Sequence, residues 1–132
     1  MFTNISSRGL QRALRVVAVL VALAVPLGLF MGGAQPVAVG LFAAPYDKLV
    51  HALVFAVLAA AMGYASGWRG WRMVLLAFGG ALAVGVLDEW HQMMLPGRSA
   101  GWDDLAADAV GAALGAWTVS LRARFGERAR QG

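Results

Sequence analysis

Four apolar runs alternate with short polar segments along the chain. They cover residues 16–31, 49–65, 73–87 and 105–121, and no charged residue lies between Arg15 and Asp47. A helix needs about 20 predominantly apolar residues to cross the hydrocarbon core of a bilayer. The pattern therefore predicts an all-α membrane protein, a compact bundle of four antiparallel transmembrane helices that forms a single domain over residues 1–132.

The turns between the runs set the lengths of the predicted helices. The segment GWRGW, residues 67–71, has the glycine and tryptophan content of a tight interfacial turn, and Pro96-Gly97 ends the preceding helix. The third run has 15 residues, which is roughly 22 Å of helix against a hydrocarbon core of about 30 Å. The third helix must therefore continue through Asp88, Glu89 and Gln92 to residue 94 or 95.

The charged residues predict how the helices are oriented. In an antiparallel bundle, nine of the eleven basic residues fall on one side of the membrane, and every acid except Glu127 falls on the other side. The nine are the arginines at positions 8, 12, 15, 69, 72, 122, 124, 128 and 130. The positive-inside rule then places both termini in the cytoplasm and the chain in the cytoplasmic membrane. A secretory signal peptide over residues 1–34 is the alternative, although its apolar core is long for that role. In either case the second helix begins outside.

The amino-acid composition agrees with a membrane protein and excludes some kinds of site. Apolar residues make up 60% of the chain and charged residues 14%, against about 25% charged in soluble proteins, so lipid must cover much of the surface. The absence of cysteine excludes thiolate metal sites and cysteine nucleophiles. A net charge of +4 would suggest nucleic acid in a soluble protein, but arginines at the run ends indicate topology, and no nucleic-acid partner is predicted.

Polar residues concentrate where the predicted helices meet the outer surface. The segment LDEWHQMMLPGRSAGWDDLAAD, residues 87–108, holds five of the seven acids. Acids inside membrane helices normally face the bundle interior and are paired. Helical spacing puts Asp47 with His51, and Asp88 with Gln92, on shared faces. The predicted polar pocket consists of Asp47, Lys48, His51, Asp88, Glu89, Gln92, Arg98, Asp104 and Asp108.

The stripe of the fourth helix that carries Asp104 and Asp108 continues into two glycines, Gly111 and Gly115. Two small residues four apart let membrane helices approach closely. These glycines are therefore predicted to pack against a neighbouring helix.

Several pocket residues also have purely structural interpretations. Asp47 can cap its helix, Lys48 can extend to the headgroups, and His51 can simply bond across helices. Asp104 lies where the dipole of the fourth helix favours negative charge. Arg98 is either a counter-ion for the acids or a ligand for a phosphate or carboxylate.

Three motifs in this order resemble the VanZ-like family of small multi-span bacterial membrane proteins. They are DKLVH at residues 47–51, LDEWHQ at residues 87–92 and LPGRSAGWDDLAADAVGAALG at residues 95–115. The resemblance implies a membrane protein with an outward-facing polar cluster and a link to resistance against the glycopeptide teicoplanin. Many members of that family carry asparagine at the position of Asp108, so the resemblance implies no acid-base role there.

The cluster supports three functional hypotheses. The first is a site that recognises or modifies a cell-envelope molecule, such as a lipid-linked precursor or a glycopeptide. The second is an enzyme acting on a lipid phosphate, with Mg²⁺ or Ca²⁺ held by Asp88, Glu89, His51 and Asp104. The third, an ion or proton pathway, is disfavoured because the polar residues do not continue to the cytoplasmic side. A structural network that pins the helices together is the competing interpretation, and no cofactor is assigned from the sequence.

Overall fold

Four long helices and one short 3₁₀ helix make up the part of the chain that the computed structural model describes, residues 7–131, with side chains for residues 8–126. The helices are α1 (Ser7–Gly33), α2 (Tyr46–Ser66), α3 (Gly70–Met93) and α4 (Trp102–Gln131), and the 3₁₀ helix is Pro36–Ala38. No strand occurs in residues 7–131. The all-α prediction is confirmed. The predicted roles of Glu127, Arg128 and Arg130 lie outside the described side chains.

Helix ends fall where the sequence stops supporting helical backbone. Gly67 follows α2 with a φ of 65°, the left-handed conformation that glycine adopts without a steric penalty. The third helix runs through Asp88 and Gln92 to Met93, and its last turn is closed by Met94 and Leu95 before Pro96. The extension inferred from bilayer thickness is therefore confirmed to within one residue.

The closest helix pair is α2 with α4. A Cβ added at Gly111 would collide with the carbonyl oxygen of Ala52, and one at Gly115 would collide with that of Ala56. The two backbones approach this closely only because both positions lack a side chain, so both glycines lie in the contact between α2 and α4. Small and apolar residues of α2, α3 and α4 form the core: Phe55, Leu58, Ala59, Ala77, Ala81, Ala112 and Ala116.

Helix α1 lies at the edge of the bundle. It packs mainly on α2 and to a lesser extent on α3, and most of its apolar side chains are exposed. Helices α1, α2 and α3 are each long and apolar enough to cross a membrane. Among the described residues helix α4 is not apolar enough to meet the same criterion, and three aspartates lie in its first seven residues.

Candidate functional site

The predicted pocket residues lie at one end of the bundle, where α2 and α4 begin and α3 ends. Asp47 and Lys48 are in the first turn of α2, Asp88 and Glu89 are near the end of α3, and Asp104 is in the first turn of α4. Contacts between side chains of different helices hold this end together. We call this set, with His51, Gln92 and Asp108, the acidic cluster.

Lys48 lies among three carboxylates at the starts of α2 and α4. Its Nζ lies 2.8 Å from Asp47 Oδ2, 2.9 Å from Asp103 Oδ2 and 2.5 Å from Asp104 Oδ1. A lysine ammonium has three N–H donors, so one carboxylate accepts from each. Two of these acids come from α4 and one from α2, and Lys48 therefore ties the two helix starts together.

His51 and Asp108 form the inner link between α2 and α4. His51 Nδ1 lies 2.8 Å from Asp108 Oδ1, and the Asp108 side chain is completely buried. The ring of His51 is also stacked over Phe55, with 6.4 Å between the ring centroids. Gly85 of α3 leaves the space for this carboxylate, since a Cβ there would lie 2.9 Å from Asp108 Oδ2.

The acids of α3 are held by neutral donors. Gln92 Nε2 donates to Asp88 Oδ2 at 2.8 Å, and the backbone amide of Gly101 donates to Glu89 Oε2 at 2.8 Å. The second oxygens of Asp88, Glu89 and Asp108 are buried and have no hydrogen-bond partner among the described residues. A buried carboxylate oxygen without a donor is costly, and each of these three oxygens keeps the capacity to accept a hydrogen bond or to bind a cation.

Arg98 binds the end of α1 and does not pair with the acids. Its Nη2 and Nε donate to the carbonyl oxygen of Gly33 at 2.9 and 3.3 Å, and its Nη1 donates to that of Ala38 at 3.5 Å. A cation is favourable at the negative end of a helix dipole. Within the described part of the chain Arg98 forms no ion pair, and it fastens the loop before α4 to α1.

A cavity of about 700 Å³ lies between parts of α1, α2 and α3 and the loops beside them. Its long wall is apolar, with Val21, Val25 and Leu29 from α1 facing Val50 and Val54 from α2. At the end that holds the acidic cluster the lining changes to polar groups: Asp47, His51, Asp88, Gln92, Arg98 and Asp104. One cavity therefore has an apolar lining along α1 and α2 and a polar lining at the acidic cluster.

The family profile of VanZ/LLP1 matches residues 5–123, which is nearly the whole chain. The chain belongs to the VanZ/LLP1 family. No curated protein is significantly similar to it. No solved structure is significantly similar to it either.

In this VanZ/LLP1 protein the structure brings the acidic cluster together from three helices. Arg98 lines the same cavity, but its partners are backbone carbonyl groups and not the acids of the cluster. Neither role proposed for Arg98 from the sequence included the carbonyl groups of α1. Asp104, one of the metal ligands considered from the sequence, is bound to Lys48, while Asp108 lies beside His51.

Three residues that contact the acidic cluster of this VanZ/LLP1 protein were not identified from the sequence. The carboxylate of Asp103 is 69% exposed and still lies 2.9 Å from the ammonium of Lys48. Gly85 makes room for Asp108, and the amide of Gly101 holds Glu89. Only Gly85 had a signal in the sequence, because it precedes Asp88, Glu89 and Gln92 at the i, i+3, i+4, i+7 spacing of one helix face.

Proposed function

We propose that this VanZ/LLP1 protein binds an amphiphilic molecule of the cell envelope, a lipid-linked precursor or a lipoglycopeptide, and that this binding links it to glycopeptide resistance. The observation that carries the proposal is the shape of the cavity, an apolar wall that ends at a polar cluster. Ligand sites typically combine a mostly apolar lining with a few placed polar groups. The acyl chain would lie along α1, and the headgroup would reach His51, Asp88 and Gln92.

The polar end offers complementary groups for a headgroup. Carboxylates of Asp47 and Asp88 would accept from amines, amides or hydroxyls. A guanidinium has five N–H donors, and Arg98 makes three hydrogen bonds to Gly33 and Ala38. Its remaining donors would bind a phosphate or carboxylate of the ligand.

The proposed orientation places the acidic cluster at the outer face of the cytoplasmic membrane and both termini inside. It requires α4 to cross as the fourth span, and 30 residues give about 45 Å of helix, which is more than the hydrocarbon core needs. Exposed tryptophans support two interfaces, with Trp68 and Trp71 at one end and Trp90 and Trp102 at the other. Aromatic residues of this kind are enriched where membranes meet water.

Cysteine labelling tests this orientation, because the chain has no cysteine of its own. A membrane-impermeant maleimide should label Asp103→Cys in intact spheroplasts and Gly126→Cys only after permeabilisation. The opposite labelling would reverse the orientation, and labelling of both in intact spheroplasts would refute the fourth span.

A pair of glycines on α1 tests the ligand. Gly28 lines the cavity and Gly32 does not, and an added Cβ meets nothing within 4 Å at either position. Gly28→Leu should fill the cavity, abolish photocrosslinking to a photoreactive lipid-linked precursor or lipoglycopeptide, and lower the teicoplanin resistance of expressing cells. Gly32→Leu should behave as wild type. Equal crosslinking of the two variants, or none to wild type, would contradict the proposal.

A structural network is the second candidate, favoured by the ion pairs between α2 and α4 and by the buried hydrogen bond from Gln92 to Asp88. It predicts that Asp88→Asn unfolds at a lower temperature than wild type in detergent, with unchanged crosslinking. The binding proposal predicts near-normal stability and loss of crosslinking.

A further inference from the structure

Three acid or histidine side chains, one from each of the packed helices, converge inside the bundle. Ligand atoms of His51, Glu89 and Asp108 all lie within 4.8 Å of one another. An ion about 2.1 Å from each ligand atom spans up to about 4.2 Å between opposite ligands. Small side-chain rotations would therefore bring all three groups onto one ion.

The positive charges of this end are already used by other groups. Lys48 is surrounded by Asp47, Asp103 and Asp104, and Arg98 binds carbonyl oxygens of α1 and the following loop. The deeper acids Asp88, Glu89 and Asp108 have no lysine or arginine partner among the described residues. Buried carboxylates require a cation, a proton or hydrogen-bond donors to offset the loss of water.

Two of the converging side chains are more than nine-tenths buried and each has an oxygen without a partner. Glu89 is 7% exposed and Asp108 is 0% exposed, and Glu89 Oε1 and Asp108 Oδ2 accept no hydrogen bond from the described residues. The other oxygen of Glu89 is fixed by the amide of Gly101. Supporting hydrogen bonds of this kind orient the ligands of metal sites.

We propose that His51, Glu89 and Asp108 bind a divalent transition-metal ion. One imidazole nitrogen with two carboxylates is a mixed donor set that suits Zn²⁺ or Mn²⁺, whereas Mg²⁺ and Ca²⁺ prefer oxygen alone. The site differs from the Mg²⁺ or Ca²⁺ site considered from the sequence, because Asp108 takes the place of Asp88 and Asp104.

The proposed ion shares a residue with the cavity. His51 lines the cavity and also belongs to the converging group, so a bound ion would add a positive centre at the charged end. That centre would attract a phosphate or carboxylate of the proposed ligand. Metal binding is measured without any lipid or glycopeptide, so its failure and the failure of the proposed function can be distinguished.

Metal titration of the chelator-treated protein in detergent tests the site. Wild type should bind one Mn²⁺ or Zn²⁺ per chain, and tenfold excess Mg²⁺ should not displace it. Glu89→Gln should weaken binding at least ~100-fold, since even supporting residues of metal sites cost about 10–100-fold. Asp103→Asn is the matched control, because it removes one negative charge at the same end and should leave affinity unchanged within about twofold.

Electron spin-echo spectroscopy of the Mn²⁺ form gives a second readout, and its first part uses the wild-type protein alone. A nitrogen modulation from one histidine is expected in wild type, and His51→Gln should remove it. No stoichiometric binding, no nitrogen coupling, ready displacement by Mg²⁺, or equal losses in Asp103→Asn and Glu89→Gln would each overturn the proposal.

Discussion

Replacing Gly111 with alanine tests whether the contact between α2 and α4 holds the acidic cluster in register. The added methyl group would collide with the carbonyl oxygen of Ala52. That atom belongs to the backbone and cannot rotate away, so the two helices must separate. An ordinary contact between carbon and oxygen needs about 3.3 Å, and the separation required here is on the order of 1 Å.

The expected loss of stability follows from the contacts that this separation weakens. A gap of about 0.5–1 Å removes roughly a quarter to a half of the dispersion energy of each atom pair. If about 50 pairs across the contact contribute about 0.15 kcal/mol each, the total loss is about 2.5 kcal/mol. Stretching the bond between His51 and Asp108 would cost about 1.5 kcal/mol more. Alanine recovers about 1 kcal/mol of helix propensity. The free energy of unfolding should therefore fall by about 3 kcal/mol.

Reversible unfolding of the protein in mixed detergent micelles, followed by circular dichroism, measures this loss. Gly126→Ala is the matched control, because it makes the same change in the same helix at a position where nothing lies within 4 Å of the new Cβ. It should be neutral or slightly stabilising. If Gly111→Ala is as stable as Gly126→Ala, the close approach of α2 and α4 does not exist in the membrane protein.

Three further predictions concern the polar contacts. In a double-mutant cycle, His51→Gln and Asp108→Asn should show a coupling of about 1–3 kcal/mol in unfolding free energy, and additive losses would exclude their bond. Arg98→Gln should speed hydrogen exchange of the loop after Gly33 at least tenfold while the exchange of α2 and α4 stays unchanged. Lys48→Met should destabilise the protein at about 0.01 M salt and less at about 1 M, since screening weakens repulsion between the released acids. Equal losses at both salt concentrations would contradict this.

The helices of this protein could be predicted because bilayer thickness and apolar run length constrain each helix separately. The extension of α3 past Leu87 follows from the length that a spanning helix needs. The convergence of Asp47, His51 and Asp108 at one end follows from their depth in the predicted spans. Glycine spacing indicated which face of α4 packs, although it did not identify α2 as the neighbour.

The partners of individual charges could not be predicted in the same way. Periodicity gives the face of one helix that a residue occupies, but the contact between Lys48 and Asp103 depends on how α2 and α4 are rotated and offset relative to each other. Arg98 lies in a loop, and its partners are backbone carbonyl groups that no residue type reveals. Gly101 donates its backbone amide to Glu89. Every residue except proline has such an amide, so the residue type at position 101 could not predict this contact.

The position of Lys48 has a practical consequence, because it is the only lysine in the chain. Apart from the terminal amine, the ammonium of Lys48 is the single target for an amine-reactive reagent. Three carboxylates lie within ion-pair distance of it. An ammonium held in this way must leave its partners before it can be acylated. The rate of acylation therefore measures how often the ammonium of Lys48 separates from its three carboxylates. This opening can be followed in the native chain without an introduced label.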